Sequence, residues 1–291
     1  MINQTIYLIG GTTEASQAAR RLREEGYRVI VSVATPLGAS VAAAAGLETD
    51  TGRKDSGGMA ARAAKLDCAA IVDCSHPFAR EASEQARLAA DIAGLPYFRS
   101  SRPPWTQTAS IGAGSPLEAV DSFDEAASRL RASAARSLLT LGTRNLEPFV
   151  QAGLDFTARI LPLSESFEDC LRLGIKPQNI IAAWPPFTVD FNRACLRQCG
   201  ASSLVTKDSG REGGLEEKLK AAELEGAAVI MVRRPGEPDA IHDLDVLVGR
   251  IKASLASVRS GDASAGTTVS TGATAPTGNI EAAADRAVPG A

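Results

Sequence analysis

The chain has 291 residues, ordinary hydrophobic content, 4% aromatic residues and a net charge of −3. That length accommodates two compact units. The charge balance lacks the basic footprint of a nucleic-acid-binding protein, and no apolar run is long enough for a membrane span. The N-terminus has no charged segment leading into an apolar stretch, so no signal peptide is expected and the protein reads as cytoplasmic. Five cysteines without zinc-type pairing read as reduced thiols, and two histidines make a histidine-rich metal site unexpected.

In chain order, Thr5–Ile9 reads as a first strand, followed by Gly10-Gly11-Thr12-Thr13-Glu14-Ala15 and a helical stretch from Thr13. Two glycines and hydroxyls at a strand-to-helix turn expose backbone N–H groups at the positive end of a helix dipole, which suits a phosphate. The turn is not the G-x-G-x-x-G fingerprint, so an ordinary βα turn remains an equal reading. Arg28–Val33 is the second strand. No acid stands at its end to hold ribose hydroxyls, but Ser32 and Thr35 can contact a ribose or a phosphate.

Ala69–Asp73 is a further strand, ending in Asp73-Cys74-Ser75-His76-Pro77-Phe78-Ala79 and a helix over 79–93. His76 is a candidate acid, base or ligand contact, or else it orients the turn. Asp73 reads as a cap or a loop anchor. Ser75 lacks a nucleophile elbow. After Tyr97–Arg99 the stretch Pro103–Pro116 breaks the rhythm. Strands are then expected at Ser137–Leu141, Phe156–Leu161, Asn179–Ala182, Ser203–Thr206 and Ala228–Val232. Helices are expected at Ser166–Leu173, Val189–Gln198 and Gly214–Leu224. This alternation predicts an α/β fold with parallel sheets covered by helices on both faces. We expect two Rossmann-like domains, residues 1–135 and 136–255, and a disordered tail over 256–291 that is too poor in large apolar residues to offset its ordering entropy. Polar loops at the strand ends point to a ligand crevice between the domains.

Four segments, Gly10–Ala15, Asp73–Ala79, Arg102-Pro103-Pro104-Trp105 and Thr206-Lys207-Asp208-Ser209-Gly210, occur in an order and spacing that resemble the precorrin-6A reductase family, over about residues 5 to 250. Val31–Thr35, Gly52-Arg53 and Asn145-Leu146-Glu147-Pro148-Phe149 look closer to its cobalt-precorrin branch. The resemblance implies hydride transfer from a nicotinamide to a double bond of a ring-contracted macrocycle, between two Rossmann-like domains. NADPH is associated with the aerobic branch and NADH with the cobalt branch, so the expected cofactor is NADPH or NADH. The implied cofactor contacts are Gly10, Gly11, Thr12, Thr13, Glu14, Ser32, Thr35, Ser75, His76 and Pro77, with His76 also a candidate proton donor. A substrate rich in carboxylates calls for cationic loops. Arg102, Arg144, Lys207, Asp208, Ser209, Arg233 and Arg234 are the substrate-binding candidates. Hand-over of product to the next methyltransferase is implied as well. Pro185, where the family commonly has glycine before Pro-Phe, and Thr143 depart from the pattern. The competing readings are a metal-free precorrin-6A reductase using NADPH and a non-catalytic tetrapyrrole- or nucleotide-binding protein of the same fold. A short-chain dehydrogenase is set aside, because none of Tyr7, Tyr27 and Tyr97 has a lysine four residues on.

Overall fold

The computed structural model describes residues 4–103, 105, 117–133, 135–210 and 213–259, with side chains to 257. Two fully parallel sheets form the frame. The first contains β1 (Thr5–Ile9), β2 (Arg28–Val33), β3 (Glu48–Thr51), β4 (Cys68–Asp73) and β5 (Tyr97–Arg99), in the order β3-β2-β1-β4-β5. The second contains β6 (Leu117–Val120), β7 (Ser137–Leu139), β8 (Phe156–Ile160), β9 (Ile180–Ala182), β10 (Ser203–Lys207) and β11 (Ala228–Val232), in the order β6-β11-β10-β7-β8-β9.

Strand alternation sends side chains to two covered faces. In the first sheet Ile6 and Leu8 meet α1 (Thr13–Glu24), α2 (Pro36–Ala44) and α10 (Leu244–Arg259). Tyr7 and Ile9 meet α3 (Ser56–Lys65) and α4 (Arg80–Ala93) on the other side. In the second sheet Leu139, Val205 and Ala158 pack on α5 (Phe123–Ser133), α6 (Glu147–Gln151) and α7 (Ser164–Arg172). Leu138, Leu204 and Val229 pack on α8 (Val189–Gln198) and α9 (Leu215–Glu225). Helix α1 shows why the sequence folds this way locally. Thr12 caps it, Glu14 complements the dipole in its first turn, and Ala15, Ala18, Ala19 and Leu22 make one buried stripe.

Several expectations change. The sheets divide between Arg99 and Leu117, ahead of residue 135, because β6 pairs with β11. The chain then returns: α10 buries Leu247, Val248, Ile251 and Leu255 against the first sheet. Of the tail expected over 256–291, residues 256–259 are the last turn of a docked helix, and 260–291 lie outside the described residues. Apart from Pro103 and Trp105, so does the Pro103–Pro116 break. The two segments that cross between the sheets touch. Ser101 N–H donates to the Ile241 carbonyl at 3.2 Å, Ile241 N–H to that of Arg99 at 2.9 Å, and His242 Nδ1 lies 2.6 Å from the Ser101 carbonyl.

Candidate active site

In each sheet the chain reverses its winding once: between β1 and β4 in the first, between β7 and β10 in the second. Ligands of open α/β sheets bind beyond the strand ends at such points. The loops that meet there are Gly10–Glu14 with Cys74–Phe78, and Thr140–Arg144 with Lys207–Gly210.

The first turn has little freedom. A Cβ on Gly10 would lie 2.4 Å from Val31 Cγ1, and Gly11 has φ +105° with open space around it. Thr12 Oγ1 accepts from Ala15 N–H at 3.1 Å and donates to the Cys74 carbonyl at 2.9 Å, locking the glycine turn to the β4 loop. The first-turn N–H groups of α1 have no partners within the helix and open onto this turn. The arrangement fits the phosphates of a dinucleotide. Ser32 and Ser75 are buried, whereas Thr35 is half-buried at the head of α2, where its hydroxyl accepts from Gly38 N–H.

Asp73 anchors the neighbouring loop. Fully buried, it meets Arg99 Nη1 at 3.1 Å and accepts from Tyr97 Oη at 2.9 Å and Ser75 N–H at 2.8 Å. Arg99 also donates to the Ser75 carbonyl and pairs with Glu237 at 2.6 Å. Ser75 is thus a spacer in this web, its hydroxyl shared with Ser83 at 3.1 Å. His76 Nδ1 accepts from Phe78 N–H at 3.2 Å, which leaves the proton of the neutral ring on Nε2. Burial, and then the charges of Lys207, Arg102, Arg234 and Arg99, push the His76 pKa down to about 3. His76 is therefore a neutral N–H donor in the free protein rather than an imidazolium acid.

The second sheet meets this loop directly. Lys207 Nζ lies 5.2 Å from the Phe78 ring centroid, and no carboxylate is within ion-pair distance of it among the described residues. Burial and the Arg144 charge lower the Lys207 pKa to about 8. Arg144 is exposed after β7. The other predicted cations are already matched. Arg102 forms a two-point pair with Glu14, at 2.7 and 2.8 Å, and donates to the Ser209 carbonyl at 2.5 Å. Its side chain crosses Gly210 so closely that a Cβ there would sit 2.6 Å from Arg102 Cδ. Arg234 and Asp208 are buried and bonded at two points, both 2.9 Å, and Arg234 donates to the Arg102 carbonyl. Arg233 points away to Asp121 at an exposed edge. Glu14, Arg102, Asp208, Ser209 and Arg234 thus form a seam that sets the two switch points against each other.

Three buried cations escaped sequence reasoning, Arg99, Arg159 on β8 and Lys218 on α9, and the last two form no ion pair among the described residues. Arg159 carried a signal, as the one charge in the buried strand Phe156-Thr157-Ala158-Arg159-Ile160. Lys218 carried none. Among the described residues, no three His, Cys, Asp or Glu side chains gather as a metal site, and no helix is long and apolar enough to cross a membrane.

Fold and site define a doubly wound, two-sheet α/β protein with a dinucleotide-type turn facing a cationic edge. The chain belongs to the precorrin-6x reductase CbiJ/CobK family, whose model matches residues 5–252. It is an oxidoreductase, and its family implies a nicotinamide cofactor. It is similar to the cobalt-precorrin-6A reductase of Priestia megaterium, with 34% identity over 79% of this chain and 90% of that one. The cobalt-precorrin-6A reductase of Methanothermobacter thermautotrophicus is 36% identical over 79% and 76%. The precorrin-6A reductase of Rhodobacter capsulatus is 31% identical over 80% and 89%. The solved structure of a CobK precorrin-6A reductase superposes with a TM-score of 0.67 at 26% identity, over 86% of this chain and 96% of that one.

Proposed function

We propose that this chain reduces a ring double bond of cobalt-precorrin-6A, with the first sheet and α10 serving the nucleotide and the second sheet serving the macrocycle. The observation that carries this reading is Lys207, a cation at one switch point with no carboxylate partner among the described residues, standing over Phe78 at the other. The bound nicotinamide supplies hydride; the protein supplies position and charge. The Gly10–Thr13 turn binds phosphate, and the neutral His76 ring supplies a single N–H donor, at Nε2. Lys207 and Arg144 pair with substrate carboxylates. Pairing of Lys207 relieves one of the charges that depress His76. A proton delivered by water next to the hydride-accepting carbon is the alternative for that step.

The end of β2 favours NADPH. Asp50, the nearby acid of β3, is buried and bonded to Tyr7 Oη at 2.7 Å and Lys54 at 3.2 Å, so it is unavailable to a ribose. Arg53, exposed and without a carboxylate partner among the described residues, follows Gly52, whose N–H is bonded to the Val33 carbonyl at 2.9 Å. A cation there suits a 2′-phosphate. Five free cysteines agree with a reducing cytoplasm.

The test is single-turnover oxidation of NADPH and of NADH with cobalt-precorrin-6A and with the metal-free compound. Faster turnover of the cobalt compound with NADPH is expected. Binding of the macrocycle without oxidation of either nucleotide would replace the reductase with a tetrapyrrole-binding protein.

A further inference from the structure

Phe78 belongs to the loop that follows β4 of the first sheet, yet its ring packs against the α5–α7 core of the second. The local sequence sends it there. Pro77 presets φ at the second position of a tight turn, which Ala79 N–H closes by donating to the His76 carbonyl at 2.7 Å, and Phe78 is the next residue of that turn. Behind the turn, the web of Arg99, Asp73 and Ser75 fixes the loop. Three groups meet the ring. The Phe123 ring at the head of α5 lies 6.1 Å away, centroid to centroid, and the His76 imidazole lies 5.9 Å away, both tilted against it. Lys207 Nζ arrives from the end of β10 and stands 5.2 Å from the centroid.

Burial of apolar area accounts for the Phe123 contact. It does not account for an ammonium over the ring. Lys207 forms no ion pair among the described residues, and Asp208, the acid beside it in the chain, is held at two points by Arg234. The ring face attracts the ammonium through its quadrupole and brings no charge that a ligand would have to displace. An ammonium carries three N–H donors, and a ring covering one side leaves the others for a carboxylate. The attraction strengthens as water leaves. A macrocycle closing over Lys207 therefore reinforces the ring contact rather than breaking it. A leucine would fill the same corner of the core without this property.

We infer that Phe78 is a positioning residue for the macrocycle: its ring, anchored on the first sheet, holds the Lys207 ammonium of the second where a substrate carboxylate meets it. The inference rests on the proposed pairing of Lys207 with the macrocycle. Its consequence is that two parts of the site share one support. The turn that presents His76 also presents the ring that seats Lys207. The spacing between the macrocycle's anchor and the first-sheet loop is then set by one side chain.

The experiment uses the full chain and uroporphyrin, a tetrapyrrole bearing acetate and propionate arms, titrated by quenching of tryptophan fluorescence. Residue 78 is replaced by phenylalanines carrying one, two and three ring fluorines, which keep the shape of the side chain and weaken its negative face in steps. Uroporphyrin affinity should fall step by step, to roughly fivefold weaker at three fluorines. Phe78→Leu should weaken it at least as much. In a Lys207→Met background the same series should be flat, because the two residues act as one unit. A flat series with Lys207 in place would make Phe78 a packing residue and overturn the inference. A fall that persists in Lys207→Met would overturn it too, since the ring would then act on the macrocycle itself. So would tighter binding with added fluorine, since the ring would then compete for the ammonium. Should Phe78→Leu fail to fold, the fluorinated series decides. The reductase reading is separable. Absence of cobalt-precorrin-6A turnover in the parent, with a falling uroporphyrin series that Lys207→Met abolishes, would sink the reductase and keep the positioning role. Parental turnover with a KM unchanged across the series would do the reverse.

Discussion

The two strand-end edges that face each other handle charge in opposite ways. On the first sheet every buried charge at the edge is matched from within: Asp73 by Arg99, Glu14 by Arg102, Asp50 by Lys54 and Arg62. Around the Gly10 turn that edge offers a ligand backbone geometry and one neutral imidazole, with the exposed Arg53 set apart beyond β3. On the second sheet Lys207 carries charge with no carboxylate at ion-pair distance among the described residues. An edge that cradles phosphate needs fixed N–H groups and a stable loop. An edge that grips carboxylate arms does better to keep its countercharge absent until the ligand brings it. The folded free protein bears that cost, and the ligand repays it on binding.

The sharpest way to break the contrast is to unmatch the first edge. Arg99→Met leaves Asp73 and Glu237 without their cation and should cost about 3–5 kcal/mol in denaturant unfolding. A loss near zero would mean that the pairing does not hold the edge. On the second edge the same kind of change should spare the fold. Lys207→Ala should raise the macrocycle KM about tenfold or more with kcat little changed, because pairing with a carboxylate is uniform binding. The sign with pH follows. The ammonium is the form that pairs, and its pKa in the free protein is lowered to about 8. Macrocycle affinity should therefore fall as pH rises through about 8, and Lys207→Arg should flatten that fall. Protein stability should move the other way. An ordinary lysine pKa in the unfolded chain lies above the folded value, so the Lys207 penalty is complete below about pH 8 and fades as pH rises toward the unfolded pKa. Gly10→Ala drives a methyl into Val31 and should cost about 1–3 kcal/mol, with NADP+ affinity weakened as the turn shifts; an unchanged Kd would take the turn out of the cofactor site. The smallest effect belongs to Arg233→Ala, which removes only an exposed pair with Asp121. It should stay within about 0.5 kcal/mol and leave KM unmoved.

Much of this was legible in the residues because the signals were local. Gly10-Gly11-Thr12 states its turn through backbone demands, and the Val/Ile/Leu runs of β1, β2 and β11 announce buried parallel strands. Strand β3 was not legible: Glu48-Thr49-Asp50-Thr51 has no apolar residue and becomes a strand only because β2 offers it a ladder and Tyr7 meets Asp50. Strand β6 is short and gains its place from β11, far along the chain. The cations divide along the same line. Lys207 stood out in a glycine-flanked loop after an apolar strand. Lys218, inside Leu215-Glu216-Glu217-Lys218-Leu219-Lys220, is indistinguishable from the exposed Lys220 until α9 is docked. The predicted cations Arg102 and Arg234 look free in one dimension, and their partners Glu14 and Asp208 are assigned only by the crossing of the two sheets.

Helix α10 has a consequence for how the molecule is made. It is synthesised after every other described element, yet Leu247, Val248, Ile251 and Leu255 complete the core begun by Ile6 and Leu8. The sheet synthesised first therefore waits, with a strip of its surface bare, until the second sheet has emerged and folded between the two. Birth order and completion order are reversed. A nascent chain stalled after β11 would present that strip to chaperones, so the stretch of translation between β5 and α10 is the window in which this protein is most in need of them.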